Sequence, residues 1–225
     1  MNKDILLLAK SKKHYNYCIA GKDINTGEWI RLISEDNTIH NAIKPTDLIY
    51  EDDTEAEILD VIRIMVKEIK NENKILYQPE NYILDDRYYL LKLEERNLND
   101  LNHLTDDVDK IFFNTSNSIS RNDLEVIENV NSLVLIEPEI VKVKRKNDTD
   151  LWANVKYNGE WYNSLTIKDI SFTEKYYNDI TNDYNGRNFY GVKLVISLGE
   201  EYKGKHYKLI AAVIEQQCSI AYSKI

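Results

Sequence analysis

Asn158-Gly159 lies between two segments, residues 151–157 and 161–165, in which apolar and polar residues alternate. A two-residue connection of this kind is the strongest local signal for a β-hairpin, because a type I′ turn needs positive φ at both positions and Asn and Gly tolerate it. It commits this stretch to antiparallel sheet and fixes a register. Trp161 comes to face Lys156, while Trp152, Asn154 and Lys156 share one side.

Strand signals recur at both ends of the chain. Residues 5–9, 17–20 and 29–33 are short apolar runs joined by polar stretches, one of them containing Asn25 and Gly27, and they predict a meander. Residues 59–69 predict a long strand, although the apolar positions 58, 62, 65 and 69 also fit a helix. Further on, residues 132–137 and 140–146 predict two strands. In the second, Val141 and Val143 face one way and Lys142, Lys144 and Lys146 the other. Residues 191–198 and 207–215 are apolar enough for central strands around a turn at 202–205, with Ala211 and Ala212 marking a close approach.

The texture of residues 85–130 is different. Asp85 is placed to cap a helix over 87–95, Asn97 or Asn99 a short one through Leu101 and Leu104, and Ser120 with Asp123 one over 124–130. A further helix is expected near 172–177. The fold class is therefore mainly β with a helical insert (α+β): two small β-barrels, over residues 1–84 and 132–225, flanking an acidic helical segment over 85–131.

Charge follows the same division. Of 225 residues with a net charge of −9, the first fifty carry 7 basic and 6 acidic groups, residues 51–140 carry 9 and 22, and residues 141–225 carry 13 and 10. Such a balance excludes a protein that coats nucleic acid by bulk electrostatics and leaves local basic clusters as the only cationic surfaces. The longest apolar run, residues 5–9, is too short to span a membrane, and no cleavable leader is visible, so a cytoplasmic protein is expected. Cys18 and Cys218 make neither a disulfide framework nor a metal-ligand spacing.

Three motifs then stand in order. The first is Cys18-Ile19-Ala20-Gly21 followed by Gly27-Glu28-Trp29-Ile30-Arg31. The second is Tyr77-Gln78-Pro79-Glu80-Asn81-Tyr82-Ile83-Leu84. The third is Ser197-Leu198-Gly199-Glu200 followed by Gly204-Lys205-His206-Tyr207-Lys208-Leu209-Ile210-Ala211-Ala212. In order and content they resemble the prokaryotic dual OB-fold family, with Tyr82 where that family usually has Trp. The resemblance covers nearly the whole chain. It implies two OB-like barrels in a bacterial protein that recognises nucleic acid or a nucleotide and serves defence against mobile elements.

The residues themselves nominate several binding groups, each with a plainer alternative. Trp29 and Arg31 share a strand face and suit base stacking with phosphate contact, or else they are core and barrel-end residues. Lys12 and Lys13 form a basic pair. Lys156 and Trp161, beside the Lys142–Lys144–Lys146 stripe, make a cationic, aromatic surface, or else a lysine edge that discourages sheet aggregation. Glu80 and Asn81 either hold ligand or lock the connection between units, and Glu200 and Lys208 either pair with each other or meet Ser197 in a pocket.

Catalysis has weak candidates. Cys18 and His14 lack a third orienting group, the carboxylates of residues 51–55 lack a metal-loop pattern, and no phosphate-binding or zinc-protease motif occurs. The expected function is a non-enzymatic nucleic-acid or nucleotide recognition module without cofactor or metal. The rival readings are a regulatory subunit whose acidic middle docks a basic protein encoded nearby and, third, a phosphodiester-processing enzyme.

Overall fold

The computed structural model describes residues 1–69, 75–127, 131–180 and 186–216. Cys218 and residues 128–130 of the expected third helix lie outside them. Strand makes up 49% of the structure and helices are few.

The first sheet is built from β1 (Asn2–Lys13), β2 (Asn16–Asp23), β3 (Trp29–Ile33), β4 (Asp60–Lys67) and β5 (Asn81–Leu84), paired in the order β1-β2-β3-β5-β4, with β4 returning to β1. All pairings are antiparallel except β3 with β5, and the ring is closed. β1 is long enough to pair with β2 through Ile5–Lys13 and with β4 through Asn2–Leu6. Closure needs β2 to lie tight against β1, which Gly21 allows: a Cβ there would sit 2.2 Å from the Leu6 carbonyl oxygen. Ile5, Leu7, Ile19, Ile30, Leu32, Ile62 and Ile64 fill the interior.

The second sheet repeats this path. β8 (Leu133–Ile136), β9 (Ile140–Arg145), β10 (Leu151–Tyr157), β11 (Glu160–Ile167), β13 (Lys193–Tyr202) and β14 (Lys205–Ile214) pair as β9-β10-β11-β14-β13-β8, with β11 parallel to β14. β8 and β9 together take the place of β1: one half pairs with β13, the other with β10, and the interruption between them holds Pro138, which has no amide hydrogen to donate. Two short strands, β7 (Ser118–Ser120) on β14 and β12 (Arg187–Phe189) on β9, extend the sheet. α2 (Ile170–Tyr176), capped by Asp169, packs Phe172 and Tyr176 into this barrel's core beside Phe189. The position corresponding to α2 in the first barrel, between β3 and β4, holds only the 3₁₀ turns Asn37–Ile39 and Pro45–Leu48.

The expected hairpin is present. Asn158 and Gly159 have φ of 49° and 77°, and Lys156 faces Trp161. The helical insert is minor, which corrects the expectation for residues 85–131. Residues 91–95 form β6 (Leu91–Glu95) on β4 instead of a helix, because pairing with the open side of β4 outweighs the local cap signal. α1 covers only Arg121–Glu125, with Ser120 accepting from the Asp123 amide, and Asn97 caps a 3₁₀ turn over Leu98–His103. Among the described residues, no helix is long and apolar enough to cross a membrane.

A third apolar cluster joins the barrels. It contains Leu6, Leu8, Ala9, Ala20, Trp29 and Val61 from the first and Leu133, Leu135, Val195, Ala211, Ala212 and Ile214 from the second. Each barrel bulges at this contact, β1 at Leu8 and β14 at Ala211. A bulge lets two successive residues face the same way, so Leu8 and Ala9, and Ala211 and Ala212, all point into the interface.

Candidate ligand site between the barrels

Beside this apolar contact lies a cleft, and the three motifs meet in it. From the first barrel come Lys12 and Lys13 at the end of β1, Cys18 on β2 and Arg31 on β3. Gln78 and Asn81 follow from the approach to β5, and Ser197, Gly199 and Glu200 come from β13. The cleft has an inner cavity of about 100 Å³ and an outer groove of about 340 Å³.

Arg31 organises the inner part. Its main chain is fixed by the parallel pairing with Asn81 and by its amide donating to the Glu80 carbonyl at 2.8 Å. The buried guanidinium donates to Ser132 Oγ at 2.7 Å and Cys18 Sγ at 3.1 Å, and its Nε lies 3.5 Å from Glu80 Oε1. Glu80 Oε1 also accepts from the Ser132 hydroxyl and, at 3.2 Å, from the Ser132 amide. Burial acts to lower the Arg31 pKa, but Cys18 and Glu80 outweigh it and hold the guanidinium above its ordinary value. Glu80 thus ties β3 to Ser132, the residue before β8. Three buried polar atoms here, Arg31 Nε, Glu80 Oε2 and Asn81 Oδ1, have no hydrogen-bond partner among the described residues.

The outer groove is cationic. Lys12, Lys13, Arg31 and Lys168 line it against one carboxylate, Glu200. Lys13 pairs with Glu200 at 2.9 Å, and the Lys12 amide donates to the Lys168 carbonyl at 2.9 Å, so both contacts bridge the barrels. Burial would raise the Glu200 pKa, but Lys13, with His14 and His40 nearby, holds it below the usual carboxylate value.

Other nominated residues lie elsewhere. Trp29 is 5% exposed, and its indole N–H donates to Asp106 Oδ2 at 2.9 Å, so its ring belongs to the inter-barrel core and offers no open stacking surface. Lys208 does not meet Glu200. It is an inward-facing residue of β14, 1% exposed, and its ammonium donates to the carbonyls of Ile111 at 2.6 Å and Asn114 at 2.5 Å, with the Tyr162 ring alongside. Burial brings its pKa down to about 7.

Lys156 and Trp161 sit on the outer face of β9–β11, with Lys142, Lys144, Trp152 and Asn154. Lys156 is engaged by Glu139 at 2.7 Å, and Trp161 is 41% exposed. Over Val141–Val143, β9 is paired on both sides, by β10 and β12, so Lys142 does not stand on a free edge. A cross-strand row Lys144–Trp152–Thr166 leads along β11 toward Lys168 and the groove.

Three participants carried no signal in the sequence. Lys168 follows the last residue of a strand, Ser132 looks like an ordinary turn residue, and Asp106 is one of three aspartates within residues 106–109. Yet Asp106 takes Lys22, Trp29 and the Leu135 amide in one carboxylate.

No curated protein matches the chain. Among solved structures it is similar to one described as "Crystal structure of the tetrameric p202 HIN2", with 9% identity, a TM-score of 0.32 and coverage of 96% of this chain and 94% of that one. It is also similar to one described as "Structural mimicry for functional antagonism", with 10% identity, a TM-score of 0.31 and coverage of 93% and 87%. Likeness at that level carries no argument about this chain. The family model described as the dual OB-containing domain matches residues 3–213, so the chain belongs to that family.

Proposed function

We propose that the chain is a non-enzymatic recognition module for nucleic acid or a nucleotide, with phosphate held in the cleft between the barrels. In line with the family resemblance, the same reading gives it a role in bacterial defence. The observation that carries it is the charge of the groove: four cations and one carboxylate, in a chain whose net charge is −9. Long-range attraction to phosphate is absent, so affinity must come from such local contacts. Lys12 and Lys168 supply flexible ammonium groups. Arg31 is pre-positioned by Glu80 and Ser132, and the unpartnered Asn81 Oδ1 can accept from a base or sugar donor. A single strand longer than one nucleotide would continue over the row Thr166, Trp152 and Lys144 toward the hairpin, on the strand 2–3 face that OB-folds use.

The test is fluorescence anisotropy with labelled single-stranded DNA, single-stranded RNA and nucleotides across a salt series. The double variant Lys12→Ala/Lys168→Ala should weaken binding and lower the salt slope by about 0.7 per lost contact. If none of these ligands binds at low salt, the reading falls, and the partner-docking alternative takes its place. A specific observation favours that alternative: β6, paired among the described residues with β4 alone, exposes Leu91 and Leu93, and Tyr88 and Tyr89 just before it are exposed as well.

A further inference from the structure

Two of the chain's four histidines, His14 and His40, meet at the mouth of the cleft. His14 is at the tip of the β1–β2 hairpin and His40 ends the 3₁₀ turn Asn37–Ile39; both have positive φ, 46° and 57°. Their rings stack with centroids 4.0 Å apart and planes at 20°. The loop carrying His40 is closed on itself, with the Ser34 amide donating to the Asn41 carbonyl and Asn41 Nδ2 to the Ser34 carbonyl. Opposite them, across the boundary between the barrels, is Glu200. One ligand atom from each of the three residues falls within 4.8 Å of the others.

We infer that His14, His40 and Glu200 form a binding site for a zinc-type divalent cation that ties the loops of the first barrel to β13 of the second. Two imidazoles and a carboxylate are the donor set of zinc and its neighbours, whereas magnesium and calcium prefer an all-oxygen shell. Zinc holds such atoms at about 2.0–2.2 Å, so ligand atoms end within roughly 4 Å of one another. All three side chains are exposed and can turn by the small amount this requires. Three protein ligands leave a fourth position open, and both His40 and Glu200 line the inner cavity with Arg31 and Asn81. Lys13 is the built-in competitor: its ammonium occupies Glu200 Oε1 at 2.9 Å, and a cation must share or displace it.

This assignment is independent of the nucleic-acid reading, because its test uses the metal alone. The full chain, stripped of metal by a chelator and dialysed, is titrated with zinc by calorimetry and with cobalt by visible absorption. One equivalent should bind, with the cobalt band of a tetrahedral site, and zinc should raise the melting temperature. His14→Ala, His40→Ala and Glu200→Gln should each weaken zinc by more than the roughly 10–100-fold that losing an outer-sphere partner costs. His103→Ala, on an exposed turn away from the cleft, should leave it unchanged. Lys13→Ala should bind zinc several-fold more tightly, a result that a purely structural role for the histidine stack does not produce. Circular dichroism checks that each variant stays folded. The inference is overturned if the wild type takes up neither metal at large excess, or if the His14→Ala/His40→Ala double variant binds zinc as the wild type does.

Discussion

In the first barrel the outer surface of β2 and β3 carries Ala20, Trp29 and Arg31, and all three are buried. In the second, the matching surface of β10 and β11 carries Trp152, Asn154, Lys156 and Trp161, and none of them is. The first sheet is a closed ring, and the second follows the same strand order with the same single parallel pairing. What differs is the use made of the face. One barrel spends its strand 2–3 face on holding its neighbour, with Trp29 anchored by Asp106. The other keeps the equivalent face in solvent. Residue type alone would have ranked these surfaces the other way, since Trp29 with Arg31 is the better stacking pair on paper. The plug differs too: α2 closes the second barrel, where the first has only 3₁₀ turns.

The contrast breaks most completely at Ala212, fully buried where β14 meets the first barrel. Ala212→Glu puts an unpaired charge there at an effective cost of several kcal/mol, out of a total stability of about 5–15. The variant should be insoluble or unfolded; soluble protein with the wild-type melting temperature would refute the placement. Trp29→Ala comes next, at about 3–5 kcal/mol. It removes contacts of the joint cluster while leaving each barrel's own interior intact. Thermal unfolding should therefore split into two transitions. A single transition at the wild-type temperature would show that this face does not hold the barrels together.

The sequence reports local chemistry well and convergence poorly. Asn158-Gly159, the alternation of β10 and the caps at Ser120 and Asn97 depend on neighbours within four residues, and all are found in the structure. Residues 91–95 read as helix because Asp85 looks like a cap, but Asp85 instead takes both nitrogens of the Arg87 fork, and β4 recruits the segment as a strand. The repeat of strand order is invisible in the residues because it is specified by which faces are apolar, and many sequences satisfy that. The cleft is assembled from residues 12–13, 31, 78–81, 168 and 197–200, so only the motifs hinted at it. Asp106 and Lys168 have no local signature at all.

A second contrast lies between one buried cation in each barrel; another, Lys193 of the second, is paired with Glu137. The first pairs Arg31 with Glu80; the second buries Lys208 with carbonyl oxygens and, among the described residues, no carboxylate partner. Burial lowers Lys208 from 10.5 to about 7, so between those values the unfolded chain binds a proton that the folded one does not. Stability then rises with pH across that window, by at most about 1.4 kcal/mol per unit, and below pH 7 the full cost of the buried ammonium is present. Urea denaturation at pH 7, 8 and 9 should show this rise in the wild type and lose the Lys208 share of it in Lys208→Met. An identical slope in both would mean that Lys208 stays charged through the window.

The smallest effect on folding, and the sharpest on the comparison, belongs to Trp161. At 41% exposure on the open face, it should lose no more than about 0.5 kcal/mol of stability on conversion to alanine, an order of magnitude below Trp29→Ala. Stacking on an exposed aromatic contributes about 1–3 kcal/mol per base and is insensitive to salt, whereas each lysine contact carries a salt slope. If a strand leaves the groove at Lys168 and crosses the hairpin face, Trp161→Ala should weaken oligonucleotide binding while leaving the slope and the affinity for a mononucleotide unchanged. Lys12→Ala/Lys168→Ala should weaken both ligands and lower the slope. Should Trp161→Ala leave oligonucleotide affinity intact while the lysine variant lowers it, the ligand ends in the cleft and the open face of the second barrel serves another purpose. Should neither variant matter, the two faces differ only in packing, and binding by this chain must be sought away from both.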